Sequence, residues 1–296
     1  MKNGFIAWGL ILSLFVSAGQ ADADNDPLLG EHRLVLQDGR EFAGLCLGAD
    51  RQRVRFEVTS GAGSAELTFR VDQVRRLVLP GQEWVEETLA LFEQGETELA
   101  YERLQRIAQV RGRFLPVLSS YDREVLLAYA EVALERDDLF EAVATAQRLD
   151  PFWQEQPEQQ QRTTDVMVLG LYKLGLKDQT VELASKLTGE AMLFAPSAAG
   201  WYVLGELAFA QGDYRAALHQ ALRPVVFTSP FPTAHLDRAY GLAIRAALAL
   251  ERPELATRLY RDMQRQRLAW PKDQPFPDLL DPEKTLNRKQ YDESFL

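Results

Sequence analysis

The sequence predicts a multidomain α+β protein in which a small N-terminal β-barrel is followed by an all-α helical solenoid. Over residues 31–80, short apolar segments alternate with turn residues, as in half-buried strands. From residue 84 onward the apolar residues recur with the 3.6-residue period of helices. Pro80-Gly81 marks the change, so the domains are expected at 31–80 for the barrel and 84–268 for the helical part.

The composition is ordinary for a globular protein with an acidic surface. The chain has 296 residues, enough for two domains with sizeable cores. It carries 43 acidic and 33 basic residues, for a net charge of −10. This balance disfavours nonspecific binding to nucleic acid or to anionic lipid. Cys46 is the one cysteine of the sequence, which excludes an internal disulfide.

The N-terminal residues 1–21 have the pattern of a secretory signal peptide. Lys2 supplies the positive charge, and an apolar core follows at residues 5–16. Small residues in Gly19-Gln20-Ala21 predict cleavage before Asp22. The core is short for a membrane span, which needs about 20 apolar residues. We therefore expect an exported protein, periplasmic or secreted, with no membrane span after cleavage.

The two ends of the mature chain are expected to lack regular structure. Residues 22–30 are rich in Asp and read as a flexible leader. Residues 269–296 contain four prolines and many charges, and they read as an extended tail. Phe276, Leu279 and Leu280 offer apolar side chains through which this tail would pack on the last helix.

Four to five short strands are expected within residues 31–80. Asp38-Gly39 is a strong hairpin signal, and Asp50-Arg51 and residues 61–64 offer two further turns. Closing so few strands into a small barrel would remove their exposed edges. The pattern resembles SH3-like and Sm-like barrels, and such a resemblance alone implies no ligand.

Five helix pairs are expected after the barrel, and residues 201–222 form the clearest one. Its order Trp…Leu-Gly…Gly-Asp-Tyr…Ala resembles a tetratricopeptide repeat. The leading positions of the pairs lie 42, 40, 35 and 39 residues apart, whereas the tetratricopeptide period is about 34. These leading positions are Trp84, Leu126, Val166, Trp201 and Tyr240. The resemblance implies a tetratricopeptide-like array with a concave binding face.

The same resemblance implies a partner-binding surface on two consecutive first helices. In tetratricopeptide proteins the stripe beside the packing positions lines the concave groove. Here that stripe holds Tyr202, Glu206 and Phe209 in one unit, and Arg238 and Arg245 in the next. Exposed aromatic side chains beside Arg and Glu suit peptide recognition. The alternative, that these side chains pack against a neighbouring unit or the barrel, is left open by the sequence.

The sequence contains no recognisable catalytic, metal or cofactor constellation. His32, His219 and His235 are far apart and lack the spacing of a zinc helix. Cys46 lies between two leucines, which predicts a buried thiol.

Two arginine runs are expected to be solvated, because Arg53 and Arg55 alternate with apolar residues as on a solvated strand face, and the second run ends a helix. They are Arg51, Arg53, Arg55, Arg75 and Arg76, and then Arg103, Arg106, Arg111 and Arg113. An acidic partner is the alternative for the second run, and the net charge of −2 over residues 22–80 disfavours RNA binding by the first.

These patterns favour a non-enzymatic protein–protein interaction scaffold of the cell envelope. Its partner would be a protein or peptide, not nucleic acid, and no cofactor is expected. One alternative is a cell-wall targeting module whose SH3-like barrel binds peptidoglycan. Another is an enzyme with dispersed acidic residues, which would need a deep polar pocket with convergent carboxylates.

Overall fold

A computed structural model describes most of the chain in two compact units. The first unit ends at Leu126 and the second begins at Leu127. The described residues are 26–60, 63–94, 96–189, 197–227 and 233–280. The predicted signal peptide and residues 281–296 of the predicted tail lie outside them. Within these ranges no helix combines the length and apolarity that a bilayer crossing requires.

The first unit contains a five-stranded antiparallel sheet, as the turn and strand pattern predicted. Its strands are β1 (His32–Leu36), β2 (Glu41–Ala49), β3 (Arg53–Ser60), β4 (Gly63–Arg70) and β5 (Val74–Val78). They lie in the order β4-β3-β2-β1-β5. No ladder joins the two outer strands, β4 and β5, within the residues described. The sheet is therefore established, but the predicted closure into a barrel is not.

Local sequence explains the hairpins of this sheet. Gly39 has a φ of 87°, which few other residues tolerate, and its N–H donates to the Leu36 carbonyl at 3.1 Å. The Asp50 carboxylate accepts the backbone N–H groups of Gln52 and Arg53, both at 2.8 Å. These turns set the register in which Phe56 points into the core.

A 3-10 segment packs against the sheet after the first two helices. Helices α1 (Gln82–Glu93) and α2 (Thr97–Arg111) lead into this segment, Gly112–Val117. Its Phe114 is fully buried and meets the His32 ring edge-on at 5.4 Å. Burial of an aromatic ring against the sheet favours an ordered turn over a solvated loop.

The prediction that the second arginine run is a solvated helix end is wrong for Arg111. Its side chain is 1% exposed and forms an ion pair with Asp122. The guanidinium also donates to the Pro80 carbonyl at 2.9 Å, and Asp122 accepts the Ser119 hydroxyl at 2.6 Å. A charge can be buried in this way because ion pairing and hydrogen bonds replace its hydration.

The described part of the predicted leader is packed rather than flexible. Leu28 is buried, and its N–H donates to Asp26 at 2.9 Å. Asp26 also accepts from Arg106 of α2 at 2.6 Å. The contact joins positions 80 residues apart, so no local pattern could reveal it.

The remaining helices lie where the helical periodicity of the sequence predicted them. They are α3 (Ser120–Glu135), α4 (Leu139–Leu149), α5 (Pro157–Lys173), α6 (Lys177–Leu187), α7 (Ala199–Ala210), α8 (Tyr214–Val226), α9 (Leu236–Ala249) and α10 (Pro253–Arg265). In the second unit α7 contacts α8, α8 contacts α9 and α9 contacts α10. The first helices of successive pairs also touch, since α7 contacts both α5 and α9.

The α7–α8 pair is built as its sequence predicts. Asp213 caps α8 by accepting the Ala216 N–H at 2.9 Å. Ala217 is fully buried. A Cβ at Gly205 would lie 2.6 Å from Leu242 of α9 and 3.3 Å from the Ala217 carbonyl. The absence of a side chain there lets α7 approach both neighbouring helices closely.

The chain returns onto the last helix pair after α10. We call residues 270–276 the strap. The Phe276 ring lies 5.2 Å from the Trp270 ring and 5.6 Å from that of Tyr260 on α10. The Trp270 indole N–H donates to the Gln274 carbonyl at 2.9 Å. Phe276 thus makes the contact with the last helix that its apolar character predicted.

Candidate binding face

The structure brings the five predicted partner-binding residues together. Tyr202, Glu206 and Phe209 lie on α7, and Arg238 and Arg245 lie on α9. Because α7 and α9 pack side by side, these residues form a set with two groups of contacts. Arg238 contacts Tyr202, and Arg245 contacts Glu206 and Phe209. We call this set the α7–α9 face.

One half of the face is organised by an ion pair across the two helices. The Arg245 guanidinium donates to the Glu206 carboxylate at 2.6 Å. The same guanidinium lies 4.6 Å from the centre of the Phe209 ring, and that ring lies 5.0 Å from Tyr214. Charge-assisted hydrogen bonding and the cation–π contact therefore act on one arginine.

Tyr202 and Glu206 are more buried than a surface site requires. Only 5% of Tyr202 and 6% of Glu206 is exposed, so the expectation of an exposed aromatic at residue 202 is wrong. The Tyr172 ring of α5 meets the Tyr202 ring edge-on at 6.4 Å, and the Arg238 guanidinium lies 5.7 Å from the centre of the same ring. Phe209, Arg238 and Arg245 remain partly exposed.

Tyr172 also contacts the charged part of the face. Burial first, and then the nearby Glu206 charge, raises the pKa of Tyr172 to about 12. Its hydroxyl therefore stays protonated and donates a hydrogen bond to Glu206. The buried carboxylate thus has two partners, one charged and one neutral.

The other half of the face holds a contact that the sequence did not predict. Arg238 lies over the Tyr202 ring, 5.7 Å from its centre, and forms an ion pair with Asp273 of the strap. Arg238 is one of the residues that the sequence predicted to bind a partner. A carboxylate 35 residues further along the chain occupies it instead.

A buried polar cluster lies beside this half. Asp165 of α5 accepts from Gln161 at 2.8 Å and from the Ser197 hydroxyl, and His235 Nε2 lies 3.6 Å from its Oδ2. Burial raises the pKa of Asp165 to about 7 and lowers the pKa of His235 to about 4. At neutral pH the cluster therefore holds a partly protonated carboxyl and a neutral imidazole.

This cluster does not form a nucleophile–base pair among the described residues. Ser197 and His235 both contact the Asp165 carboxylate, whereas an activated serine would have to contact the histidine. The Cys46 thiol is buried, which raises its pKa to about 11. Across the ranges that the structure covers, no three His, Cys, Asp or Glu side chains converge as a metal site.

The corresponding stripe on α3 is not an open surface. Leu127 is fully buried, and Glu131 forms an ion pair with Arg162 of α5 at 2.7 Å. The α7–α9 face is therefore the part of the predicted groove where an aromatic ring and two arginines reach solvent together.

The sheet carries a separate open cleft of about 590 Å³ in the first unit. Arg51, Arg53, Arg70 and Asp72 contribute charged side chains to its lining. Arg53 and Arg70 lie directly opposite each other on β3 and β4. Like charges at such positions destabilise a strand pair, and here Asp72 offsets one of them by pairing with Arg70.

Comparison with known proteins gives little guidance. No protein-family model and no curated protein matches the sequence. Among solved structures, the chain is similar to the crystal structure of a Rap protein complexed with competence and sporulation factor, with 15% identity and a TM-score of 0.43. The match covers 60% of this chain and 51% of the Rap chain, so it spans about half of that structure. So low a TM-score carries no argument about this protein.

Proposed function

We propose that this protein is a non-enzymatic, tetratricopeptide-like scaffold that captures a protein or peptide partner through the α7–α9 face. One observation carries the proposal: an aromatic ring and two arginines from successive helix pairs meet at the same partly exposed surface. Aromatic residues and arginine are the usual anchors of protein interfaces.

The five residues would have two different roles. Phe209, Arg238 and Arg245 would contact the partner, because their side chains are partly exposed. Tyr202 and Glu206 would position the arginines, since each lies beneath one of them. An apolar side chain of the partner would pack on Phe209 beside the Arg245 guanidinium.

Affinity purification of the mature protein, followed by mass spectrometry, would identify the partner. Calorimetry with that partner would then test Phe209→Ala, for which we expect a loss of about 2 kcal/mol, or roughly 30-fold in Kd. Phe140→Ala is the matched control, because Phe140 lies on α4 and is 76% exposed. A folded Phe209→Ala variant that binds with unchanged affinity would rule out this face.

Export to the cell envelope is part of the proposal and rests on the sequence of residues 1–21. N-terminal sequencing of the protein from its native host should start at Asp22. A mature protein that keeps Lys2 would contradict cleavage at this position.

The arginine-lined cleft of the sheet favours a second candidate function, binding of peptidoglycan. Its peptide stems carry carboxylates that would pair with Arg51 and Arg53. The full chain would then sediment with purified cell wall, and Arg53→Ala would reduce the bound fraction whereas Phe209→Ala would not. Equal sedimentation of wild type and Arg53→Ala would exclude the cleft.

A further inference from the structure

The strap packs against α9 of the last helix pair in the same way that α9 packs against α7 of the pair before it. A Cβ at Gly205 of α7 would lie 2.6 Å from Leu242 of α9. At Gly241 of α9, 36 residues later, a Cβ would lie 2.4 Å from the Gln274 side chain of the strap. Each glycine thus makes room for the segment packed next to its helix. The strap therefore covers α9 where the array ends.

The strap also reaches the α7–α9 face. Asp273 forms its ion pair with Arg238, and the Arg238 guanidinium lies over the Tyr202 ring. The side chain of Asp273 is 32% exposed and that of Arg238 is 20% exposed, so this ion pair borders solvent. The charge of Asp273 also contributes to the raised pKa values of Tyr172 and Tyr202, which places it at the same surface.

The docked strap has a poorly satisfied side chain at its centre. Gln274 is 6% exposed, and within the described part of the chain its buried Oε1 has no hydrogen-bond partner. Its Nε2 donates to the Arg238 carbonyl at 3.4 Å, near the limit for a hydrogen bond. A buried acceptor without a partner costs free energy, which makes the docked state easier to displace.

We propose that the strap is a resident ligand of the α7–α9 face, and that the partner is an acidic peptide segment that displaces it. This inference rests on the proposed function. Displacing the strap removes the Asp273 carboxylate from Arg238. A partner with its own carboxylate restores that ion pair, whereas a neutral or basic segment leaves the guanidinium without one. Charge complementarity at Arg238 therefore selects acidic partners.

The strap sequence itself provides the probe. A synthetic peptide of residues 268–280, with both ends capped, is titrated into the full chain and into its Phe276→Ala variant. This substitution removes the ring contacts with Trp270 and Tyr260 and leaves the residues of the face unchanged. We expect the peptide to bind the variant at least tenfold more tightly, because the loosened strap competes less. Equal affinity for both chains would overturn the proposal.

A second peptide carrying Asp273→Asn tests the charge. It should bind the Phe276→Ala variant about two- to fivefold more weakly than the natural peptide, because it cannot form the ion pair with Arg238, which borders solvent. Equal binding of the two peptides would show that the face does not select acidic groups. If light scattering shows that the variant dimerises as its concentration rises, the face binds the strap of a second copy. That result would overturn the proposal of a separate partner.

Hydrogen exchange on the unaltered chain gives a test that needs no substitution. Amides of residues 272–274 and 276 should exchange at least tenfold faster than those in the middle of α9, because the strap opens while α9 stays folded. Equal protection would make the strap an integral part of the fold. If these tests fail while Phe209→Ala still abolishes partner capture, the strap proposal falls and the proposed function stands.

Discussion

Arg245→Ala tests how the α7–α9 face is held together. The Glu206 side chain is 8% exposed and accepts from Arg245 at 2.6 Å. Breaking a buried ion pair by removing one partner typically costs about 3–5 kcal/mol, because the other charge stays buried without compensation. The Tyr172 hydroxyl still donates to Glu206 in the variant. We therefore expect the free energy of unfolding to fall by about 2–4 kcal/mol.

Urea unfolding at neutral pH, followed by circular dichroism, measures this loss. Arg238→Ala is the matched control on the same face, because its partner Asp273 is 32% exposed and such pairs contribute only about 0–1 kcal/mol. Adding Glu206→Gln to Arg245→Ala should recover at least half of the loss, since no charge then stays buried. If Arg245→Ala costs no more than Arg238→Ala, the burial argument is wrong. If the burial argument is right, Arg245→Ala destabilises the fold, and Phe209→Ala is then the better probe of binding.

Arg111→Ala should lower the free energy of unfolding by about 3–5 kcal/mol, measured by urea unfolding, because it leaves the Asp122 carboxylate buried without a cation. Ala217→Leu should cost about 1–3 kcal/mol by overpacking a fully buried position, measured by calorimetry. The folded-state pKa of Asp165, about 7, lies above its unfolded value of 3.8, so its contribution to stability falls as pH rises through that range. The pKa of His235, about 4, lies below its unfolded value of 6.5, so its contribution rises from pH 4 to 6.5 and opposes that of Asp165. In the Asp165→Asn variant, the titration of His235 is no longer opposed. The free energy of unfolding of this variant should therefore rise from pH 4 to 6.5 by up to about 1.4 kcal/mol per pH unit.

Matched variants make these predictions falsifiable. Arg103→Ala breaks an ion pair with Glu87 in which Arg103 Nη1 lies 3.8 Å from Glu87 Oε2. The Glu87 side chain is exposed, so this substitution should lower the free energy of unfolding by only about 0–1 kcal/mol. A loss as large as that of Arg111→Ala would contradict the role of burial. Ala210→Leu on the exposed end of α7 should change stability by less than about 0.5 kcal/mol. An Asp165→Asn profile as flat as that of the wild type would contradict the opposing titrations.

The elements of the fold could be predicted because their signals are local. Alternation around Phe56 and the turn at Gly39 depend on neighbouring residues only, as does the Asp213 cap. Burial of Arg111 depends on Pro80 and Asp122, which lie 31 and 11 residues away. An arginine in a basic run has the same local pattern whether it is solvated or paired. Such distant partners have no signature in a single sequence.

Membership of the candidate site could be predicted, but its accessibility could not. Helix periodicity and the repeat place Tyr202 and Arg238 on the same side of neighbouring first helices, which suffices to bring them together. Tyr172, 30 residues earlier, packs edge-on against Tyr202, and Asp273, 35 residues later, pairs with Arg238. Neither residue belongs to the motif that identified the site.

The position of the strap after α9 in the sequence sets an order of events during synthesis. The last helix of the face ends at Ala249, and the strap is complete only at Phe276, 27 residues later. At about 5–20 residues per second, the ribosome needs roughly 1–5 s to make this interval. The chain also emerges in this order, so α7 and α9 are exposed before Asp273 follows them. A partner that meets the emerging chain would therefore find no competitor, whereas one that arrives after the strap has docked must displace it.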